Sequence, residues 1–356
     1  MFDSRGRKYI DFTMGWCVGN LGWGEPALER PARRFRGPDY VYPGYAYRPW
    51  EELAGLLVSL APPRLTRCFR ATGGSEAVDI ALQAAMVHTG RRGFLSLQDA
   101  YHGNSIAGLS VGEGDYLPGC HKTAPPLDEK ALAKIEARLK GRKIAAFILE
   151  PISMNLGVLA PDRTFVSGVQ RLCRRYGTLL IADEVATGFG RTGRIFAAEH
   201  FGLRPDLLCL AKAITGVVGG MGAVLATAAV ARSMEENGTF YSTYGWHPRS
   251  VAVAITTVRY IARHKSRLLR NVSAMSEYFR ARLSQMEFKQ PAPVRIHGLA
   301  IAIEVGDARY ASRIQSRCRD EGLLLAAEEE ILMMMPALNI EQPVARRGLD
   351  ILENAL

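Results

Sequence analysis

The sequence lacks the features that mark secreted, membrane-embedded and metal-cluster proteins. Its six cysteines are scattered without a Cys-x-x-Cys pair, which argues against a disulfide framework or a metal cluster and favours reduced thiols. No apolar run approaches the roughly 18–20 residues that cross a bilayer. The first residues are charged and contain no apolar signal core. We therefore expect a cytoplasmic protein with no membrane contact and no resident metal.

Long runs of basic residues are also missing, although the chain has a net charge of +10. No stretch contains five consecutive basic residues, and the densest region lies at 30–36. Proteins that bind nucleic acid usually carry a clustered basic face, so we do not expect a nucleic-acid partner. Only nine of the 45 Lys and Arg residues are lysines, which makes the position of each lysine informative.

Strand-like apolar runs alternate with helical patterns over about residues 71–227 of the 356-residue chain. Near-continuous apolar strands separated by helices are typical of a parallel sheet that is covered on both faces. The predicted strands are Phe94–Leu97, Ala145–Leu149, Leu179–Ala182, Leu207–Ala211 and Ala223–Thr227. The predicted helices between them are Ser75–His88, Glu129–Leu139 and Phe165–Tyr176. The pattern therefore predicts an α/β fold with a mostly parallel sheet.

The pattern changes after Pro248. The predicted elements are two long helices at 249–263 and 267–286, a strand pair or one long strand at 294–305, a helix at 310–321, a short strand at 331–335 and a closing helix at 340–356. This mixture predicts a smaller α+β lobe, and we expect the first 35 or so residues, with a strand at 9–13, to pack there as well.

Polar side chains follow four of the predicted strands directly. In open α/β sheets, ligands bind beyond the carboxyl ends of the strands. The residues at these positions are Asp183 and Glu184, Lys212, Glu150, and the pair Tyr101 and His102. The sequence therefore predicts that acids, a lysine and an aromatic ring meet at one edge of the sheet.

Two of the signals are weak alone and stronger together. The helix start at Gly73-Gly74-Ser75 lets backbone N–H groups approach an anion, although a plain turn explains it equally well. Lys212 follows an apolar stretch whose burial would favour the nucleophilic amine, although a lone lysine more often faces solvent. With an acid for a ring nitrogen and an aromatic ring for stacking, these are the parts that hold pyridoxal phosphate.

The longest motif identifies a family. The string from Asp183 to Gly193, followed by Ala211-Lys212-Ala213, resembles the class III aminotransferases of fold type I. Further motifs match in the same order along the chain, namely Gly73–Ala77, Tyr101–Gly103, Glu150-Pro151, Pro205-Asp206 and Ser242–Pro248. The resemblance covers nearly the whole chain.

The resemblance implies the architecture, the cofactor and the assembly. It implies a fold type I structure, with a mostly parallel seven-stranded sheet flanked by helices in a large domain of residues 38–245. A small α+β lobe would be formed by residues 1–37 and 246–356. The implied cofactor is pyridoxal 5'-phosphate, and the implied assembly is a homodimer with shared active sites.

The resemblance also implies residue roles. Lys212 is the internal Schiff-base lysine and the proton shuttle, and Asp183 pairs with the pyridine nitrogen. The other implied cofactor contacts are Gly74 and Ser75 at the phosphate, Tyr101 and Val185 on the two ring faces, His102 and Glu150 in their matching motifs, and Thr243 from the neighbouring subunit.

Three departures from the family pattern concern substrate choice and cofactor contacts. Ala186 stands where many members have a glutamine that contacts the ring oxygen, and Met333 stands where an arginine binds an α-carboxylate. His247 lies in a bulkier phosphate turn than usual. If a cation still binds a carboxylate, the candidates are Arg48 and Arg249. The tryptophans at 16, 23 and 50 are expected in the core rather than at a substrate mouth.

We therefore predict an aminotransferase that moves an amino group between an amine or amino acid and a carbonyl compound, in a specialised biosynthetic pathway. Because the Met333 position lacks the arginine, we expect decarboxylated or ω-amines to react at least as well as α-amino acids. One alternative is a pyridoxal-phosphate enzyme on the same fold that uses the cofactor-stabilised carbanion for elimination, replacement or C–C bond formation. Another is a non-catalytic binding protein on this scaffold.

Overall fold

The computed structural model describes residues 1–216, 218–238 and 240–356. Its strands are β1 Ile10–Asp11, β2 Leu65–Ala71, β3 Gly93–Leu97, β4 Cys120–Thr123, β5 Ile144–Leu149, β6 Leu179–Asp183, β7 Leu207–Leu210, β8 Gly222–Thr227, β9 Val294–His297, β10 Ala300–Glu304, β11 Leu323–Leu324, β12 Ala326–Glu328 and β13 Ile331–Met334. Its helices are α1 Met14–Cys17, α2 Pro26–Arg33, α3 Arg48–Leu60, α4 Gly74–Thr89, α5 Ile106–Ser110, α6 Glu129–Lys140, α7 Arg163–Tyr176, α8 Ala198–Phe201, α9 Ala228–Asn237, α10 Pro248–Leu283, α11 Ala308–Asp320 and α12 Gln342–Ala355.

A seven-stranded sheet of order β2-β8-β7-β6-β5-β3-β4 forms the centre of the molecule. Strand β8 runs antiparallel to β2 and β7, and the other neighbouring pairs are parallel. Every residue of β3, β5, β6 and β7 is buried, because helices cover both faces of the sheet. The predicted α/β class with a mostly parallel sheet is confirmed.

A second, antiparallel sheet of order β12-β13-β10-β9 lies in the C-terminal part of the chain. The first residues also contact this part, since β1 pairs in parallel with β11. The strand predicted at 9–13 is therefore shorter than expected, because only Ile10 and Asp11 are paired. The domain boundaries at residues 37/38 and 245/246 stay a prediction.

The two helices predicted after Pro248 are one helix of 36 residues, α10. No glycine interrupts it and its one proline, Pro248, is its first residue, where proline is tolerated. Buried side chains at Ile261, Leu268 and Val272 keep the helical period across the expected break. No described helix combines the length and apolar character that crossing a membrane requires.

Several elements were not predicted from the sequence. Strand β2 carries two arginines within seven residues, so its apolar pattern is interrupted. Strand β4 lies at the edge of the sheet beside β3, its one partner among the described strands, and is only partly buried. Helix α3 begins at Arg48-Pro49, with proline in its first turn as is typical of a helix start, but no helix was predicted there.

Candidate functional site

A cavity of about 300 Å³ lies at the carboxyl ends of the parallel strands and the start of α4. Strand β6 ends in Asp183, Glu150 follows β5, and Lys212 follows β7 after one intervening residue. The structure brings eight predicted residues together in the lining of this cavity, namely Gly74, Ser75, Tyr101, His102, Glu150, Asp183, Val185 and Lys212. This is the position at which open α/β sheets bind ligands.

Lys212 begins a short 3₁₀ turn, Lys212–Ile214, directly after the buried end of β7. Its backbone φ is +45°, in the left-handed region that side chains other than glycine rarely adopt. Strained backbone of this kind is concentrated at functional sites, where the surrounding structure holds it in place. The half-buried side chain lines the cavity.

Two hydrogen bonds fix the carboxylate of Asp183, which is only 4% exposed. His102 Nδ1 lies 2.8 Å from Oδ2, and we assign the proton of this bond to the imidazole. The backbone N–H of Val185 donates to Oδ1 at 3.1 Å. Since a carboxylate oxygen has more than one acceptor position, Asp183 still has the capacity to accept from a protonated ring nitrogen.

Glu150 is a second buried acid in the same cavity. Burial raises its pKa from 4.5 to about 7, and the negative charge of Asp183 adds to the increase. The hydroxyl of Ser153 donates to its Oε2 at 2.9 Å. Near neutral pH, both the protonated and the ionised form of Glu150 are therefore accessible, and the group can either donate or accept a hydrogen bond.

Glu184, the neighbour of Asp183, stabilises a loop instead of lining the cavity. Its carboxylate accepts hydrogen bonds from Thr187 Oγ1, Ala197 N and Ala198 N at 2.5–2.9 Å. Burial raises the pKa of this carboxyl to about 7 despite these donors. Because it does not line the cavity, we assign it to the loop that follows β6.

The start of α4 has the form of an anion site. Its N-cap, Gly73, offers no side chain to the first backbone N–H groups, so they are left for a ligand. A Cβ atom at Gly74 would come within 3.0 Å of Val185 Cγ1, which explains why a glycine stands there. Ser75 Oγ accepts from Asn104 N at 3.1 Å, and its own hydrogen therefore remains available to donate.

These observations test whether the residues fit pyridoxal phosphate. The uncapped helix start suits a phosphate, and the oriented Asp183 carboxylate suits a pyridine nitrogen. Lys212 lines the same cavity, and so do the ring of Tyr101 and the side chain of Val185. The donor and acceptor set therefore fits this cofactor.

Thr243 is the predicted cofactor residue that this chain does not bring to the cavity. It is exposed, in a segment in which the neighbouring Tyr244 ring packs edge-on against Tyr40 at 6.0 Å. The expected contribution across a subunit interface stays a prediction.

A second cavity of about 340 Å³ adjoins the first. The two share four lining residues, Tyr101, Glu150, Ala186 and Lys212. The second cavity adds Trp16, Met154, Asn155 and Glu328, which were not predicted as site residues. Because the cavities meet at Lys212, the first suits a cofactor and the second suits a substrate.

Trp16 reaches this cavity through the unusual backbone of α1. All four residues of α1, Met14–Cys17, have φ between +45° and +66°, which makes a left-handed turn. Trp16 is partly buried against the apolar cluster that contains Cys17 and Met154, and it also lines this cavity, so the expectation of a core position rather than a substrate mouth was wrong in its second half. The sequence carries no reliable signal for such a turn beyond Gly15.

The carboxylate-binding arginine has no replacement in either cavity. Met333 is buried in β13, in an apolar cluster with Cys17, Met154 and Ala186, and lines neither cavity. Arg48 and Arg249 are exposed and, like the half-buried His247, do not line the two cavities. Among the residues that the structure describes, no arginine lines them.

Comparison with known proteins places the geometry in a family. The family model for class-III aminotransferases matches residues 1–356. The acetylornithine aminotransferase of Archaeoglobus fulgidus is 32% identical over 99% of this chain and 92% of its own length.

Solved structures agree with this match. An amine transaminase from an uncultivated Pseudomonas species, in its PLP-bound form, has a TM-score of 0.88 and 28% identity over 99% of this chain and 91% of that one. The taurine:2-oxoglutarate aminotransferase of Bifidobacterium kashiwanohense, in complex with PLP and glutamate, has a TM-score of 0.91 and 25% identity over 99% and 89% of the two chains.

Proposed function

The chain belongs to the class III aminotransferases, and we propose that its amino transfer takes place in the two adjoining cavities that meet at Lys212. As a member of this family it is a pyridoxal-phosphate-dependent transferase that acts on small molecules. The family assignment sets aside the alternatives of elimination, replacement, C–C bond formation and a non-catalytic role. The observation that carries the assignment of the site is the position of Lys212 in the lining of both cavities.

The proposed roles follow from the contacts of each side chain. When bound, pyridoxal phosphate supplies an aldehyde that condenses with amines and a ring that withdraws electrons from the substrate carbon. Gly74 and Ser75 bind the phosphate, while Tyr101 and Val185 hold the ring. Asp183 keeps the proton on the ring nitrogen, and its partner His102 holds the carboxylate in that orientation.

Lys212 anchors the cofactor and moves the proton at the substrate carbon that bears the amino group. Its Nζ is the basic group that both cavities share, since His102 lines only the first of them. Glu150, which accepts the hydrogen bond of Ser153, lines the second cavity beside Lys212, and its raised pKa of about 7 makes both its protonated and its ionised form accessible near neutrality.

The proposed donor is an amine without a carboxylate next to the reacting carbon. A desolvated contact between arginine and a carboxylate contributes ~1.5–3 kcal/mol, and no described arginine lines the cavities to supply it. Decarboxylated amines should therefore react at least as well as the parent α-amino acids.

We also propose a homodimer in the cytoplasm. The exposed Thr243 lies among tyrosines that are at least 40% exposed, on the segments 40–45 and 241–244. Exposed aromatic residues are enriched at protein interfaces. The six cysteines are free thiols, as expected in a reducing compartment.

A spectrum and a reduction experiment test the assignment of Lys212. We expect an absorption band of the lysine-bound cofactor that disappears when an amine donor is added. Borohydride treatment followed by peptide mapping should label Lys212, and Lys212→Ala should abolish the band and the activity without loss of the fold. Lys265→Ala, on the exposed middle of α10, is the matched control. A label on any other lysine would overturn the assignment.

A further inference from the structure

The second cavity, which we assign to the substrate, is lined by acidic residues although the protein is basic overall. The chain carries 45 basic and 35 acidic residues. Nevertheless, the charged groups that line this cavity are Lys212, which the cofactor occupies, and the two acids Glu150 and Glu328. The free charge that faces a bound substrate is therefore negative.

Glu328 belongs to the C-terminal sheet, whereas Glu150 directly follows β5 of the central sheet. Glu328 is the last residue of β12, and β12 pairs with β13 through the tight connection at 329–330. Its carboxylate makes no hydrogen bond or ion pair with any residue in the part of the chain that the structure describes. An exposed carboxylate without a partner is free to bind a cation.

The other groups around Glu328 also suit a cation. Trp16 offers an indole ring, and aromatic rings attract ammonium groups. The amide of Asn155 is held by a hydrogen bond from its Nδ2 to Asp99 O at 2.9 Å, which leaves Oδ1 as an acceptor. Met154 contributes a polarisable thioether. Apart from Lys212, a substrate carboxylate would meet no positive charge among the described residues that line this cavity.

We infer that the amine substrate carries a second cationic group, and that Glu328 determines this specificity by binding it in the cavity next to Lys212. The inference rests on the proposed function and narrows it to donors of the diamine class. The reacting amine lies at Lys212, and the distal ammonium lies between Glu328, Trp16 and Asn155.

Three substrates of equal chain length test the inference. They are 1,4-diaminobutane, butylamine and 4-aminobutanoate, which differ only in the distal group, with the 1,3- to 1,6-diamines added to find the best length. We expect kcat/KM to fall in the order diamine, butylamine, 4-aminobutanoate. Because Glu328 is exposed, the diamine should lead butylamine by about two- to fivefold. A preference for 4-aminobutanoate would overturn the inference. Such a preference requires a cationic side chain at the cavity, from this chain or from a partner subunit.

Two variants assign the effect to Glu328. In Glu328→Gln, which keeps the shape and removes the charge, the ratio of kcat/KM for diamine over butylamine should approach one. In Glu328→Arg, 4-aminobutanoate should overtake the diamine. Glu329→Gln is the matched control, because Glu329 is the next residue in the same connection and does not line the cavity. An unchanged ratio in Glu328→Gln, or an equal fall in Glu329→Gln, would contradict the inference.

A binding measurement separates this inference from the proposed function. After borohydride reduction the enzyme cannot react, but its cavity can still bind a diamine. Calorimetric titration with 1,4-diaminobutane should show binding whose affinity Glu328→Gln lowers by about two- to fivefold. If no amine changes the spectrum of the unreduced enzyme, the proposed function fails. The titration then still tests whether Glu328 binds the diamine. If titration shows no binding, or equal binding by the variant, the inference fails.

Discussion

Asp183 has both carboxylate oxygens engaged by donors from its own chain, one from His102 and one from the backbone of Val185. Such a carboxylate cannot rotate away from the cavity, so its negative charge stays where a ring proton would lie. Catalysis by charge stabilisation depends on this kind of preorganisation. At the scale of single residues, the site is therefore defined by orientation as much as by residue type.

Asp183→Asn is expected to keep the cofactor and lose most of the activity. The amide has nearly the same shape but no charge to hold the ring proton, so we expect kcat to fall by about 10²–10³. Stopped-flow spectra of the amine half-reaction measure this directly. Asp162→Asn is the matched control, because asparagine also caps α7. Near-normal turnover in Asp183→Asn would show that another group holds the ring proton.

Glu150 should give the cofactor-free protein a pH-dependent stability. Its pKa is about 7 in the folded chain against an ordinary 4.5, so the folded state binds more protons than the unfolded state between these values. The free energy of unfolding therefore falls as pH rises from about 4.5 to 7, by an amount on the order of 3 kcal/mol. Glu150→Gln removes the share of this dependence that Glu150 contributes, while Glu184, whose pKa is also raised to about 7, keeps its own.

Urea unfolding at pH 5 and pH 8 checks the effect of Glu150. We expect Glu150→Gln to be more stable than the parent at pH 8, with little of this advantage at pH 5. Ser153→Ala removes only the hydrogen bond to Oε2 and should leave the protonation step in place. A difference between parent and Glu150→Gln that is the same at both pH values would mean that this carboxyl stays ionised.

At the scale of elements, α10 is about 54 Å long, from 36 residues that each rise 1.5 Å. It begins beside the turn that contains Thr243, and its last part packs against β9. Buried residues along its length belong to the largest apolar cluster, which also contains residues of β6, β7 and the C-terminal strands. The helix therefore connects the surroundings of the site with the C-terminal sheet.

Ser266→Pro tests whether α10 is continuous. Ser266 is exposed near the middle of the helix, where proline removes a backbone hydrogen bond and costs about 3 kcal/mol or more. Thermal melting should show a large loss of stability. Ser266→Ala should melt at or slightly above the temperature of the parent. If proline at this position is tolerated like alanine, the helix is broken in solution, as the sequence suggested.

The sequence predicted the buried elements and the strand-end residues because each has a strong local signal. The runs from Ile144 to Leu149 and from Leu179 to Ala182 are apolar throughout, and Asp183 follows the second run directly. The sequence did not predict that α10 is continuous, because no residue type indicates that one helix continues into the next helical pattern. Trp16 and Glu328 were missed because their position depends on a left-handed turn and on sheet pairing distant in sequence.

At the scale of the whole molecule, mixed dimers test the sharing of active sites. We expect hybrids of Lys212→Ala and Thr243→Ala subunits to contain one site with both lesions and one with neither. Activity should return to about half that of the parent per hybrid dimer, as measured on purified heterodimers with two different tags. Hybrids of Lys212→Ala with Arg249→Ala are the control, because Arg249 is an exposed residue close to Thr243 in the sequence. Absence of rescue in verified heterodimers would assign Thr243 to its own subunit.

The left-handed turn of α1 also limits how this enzyme can be altered. Trp16 has a φ of +56°, which β-branched side chains tolerate worst and glycine and asparagine tolerate best. Many substitutions at position 16 should therefore destabilise the fold, whatever their effect on substrate binding. Engineers who wish to widen the entrance for bulkier amines should begin with Gly or Asn there, and should expect Val and Ile to be lost as unfolded protein.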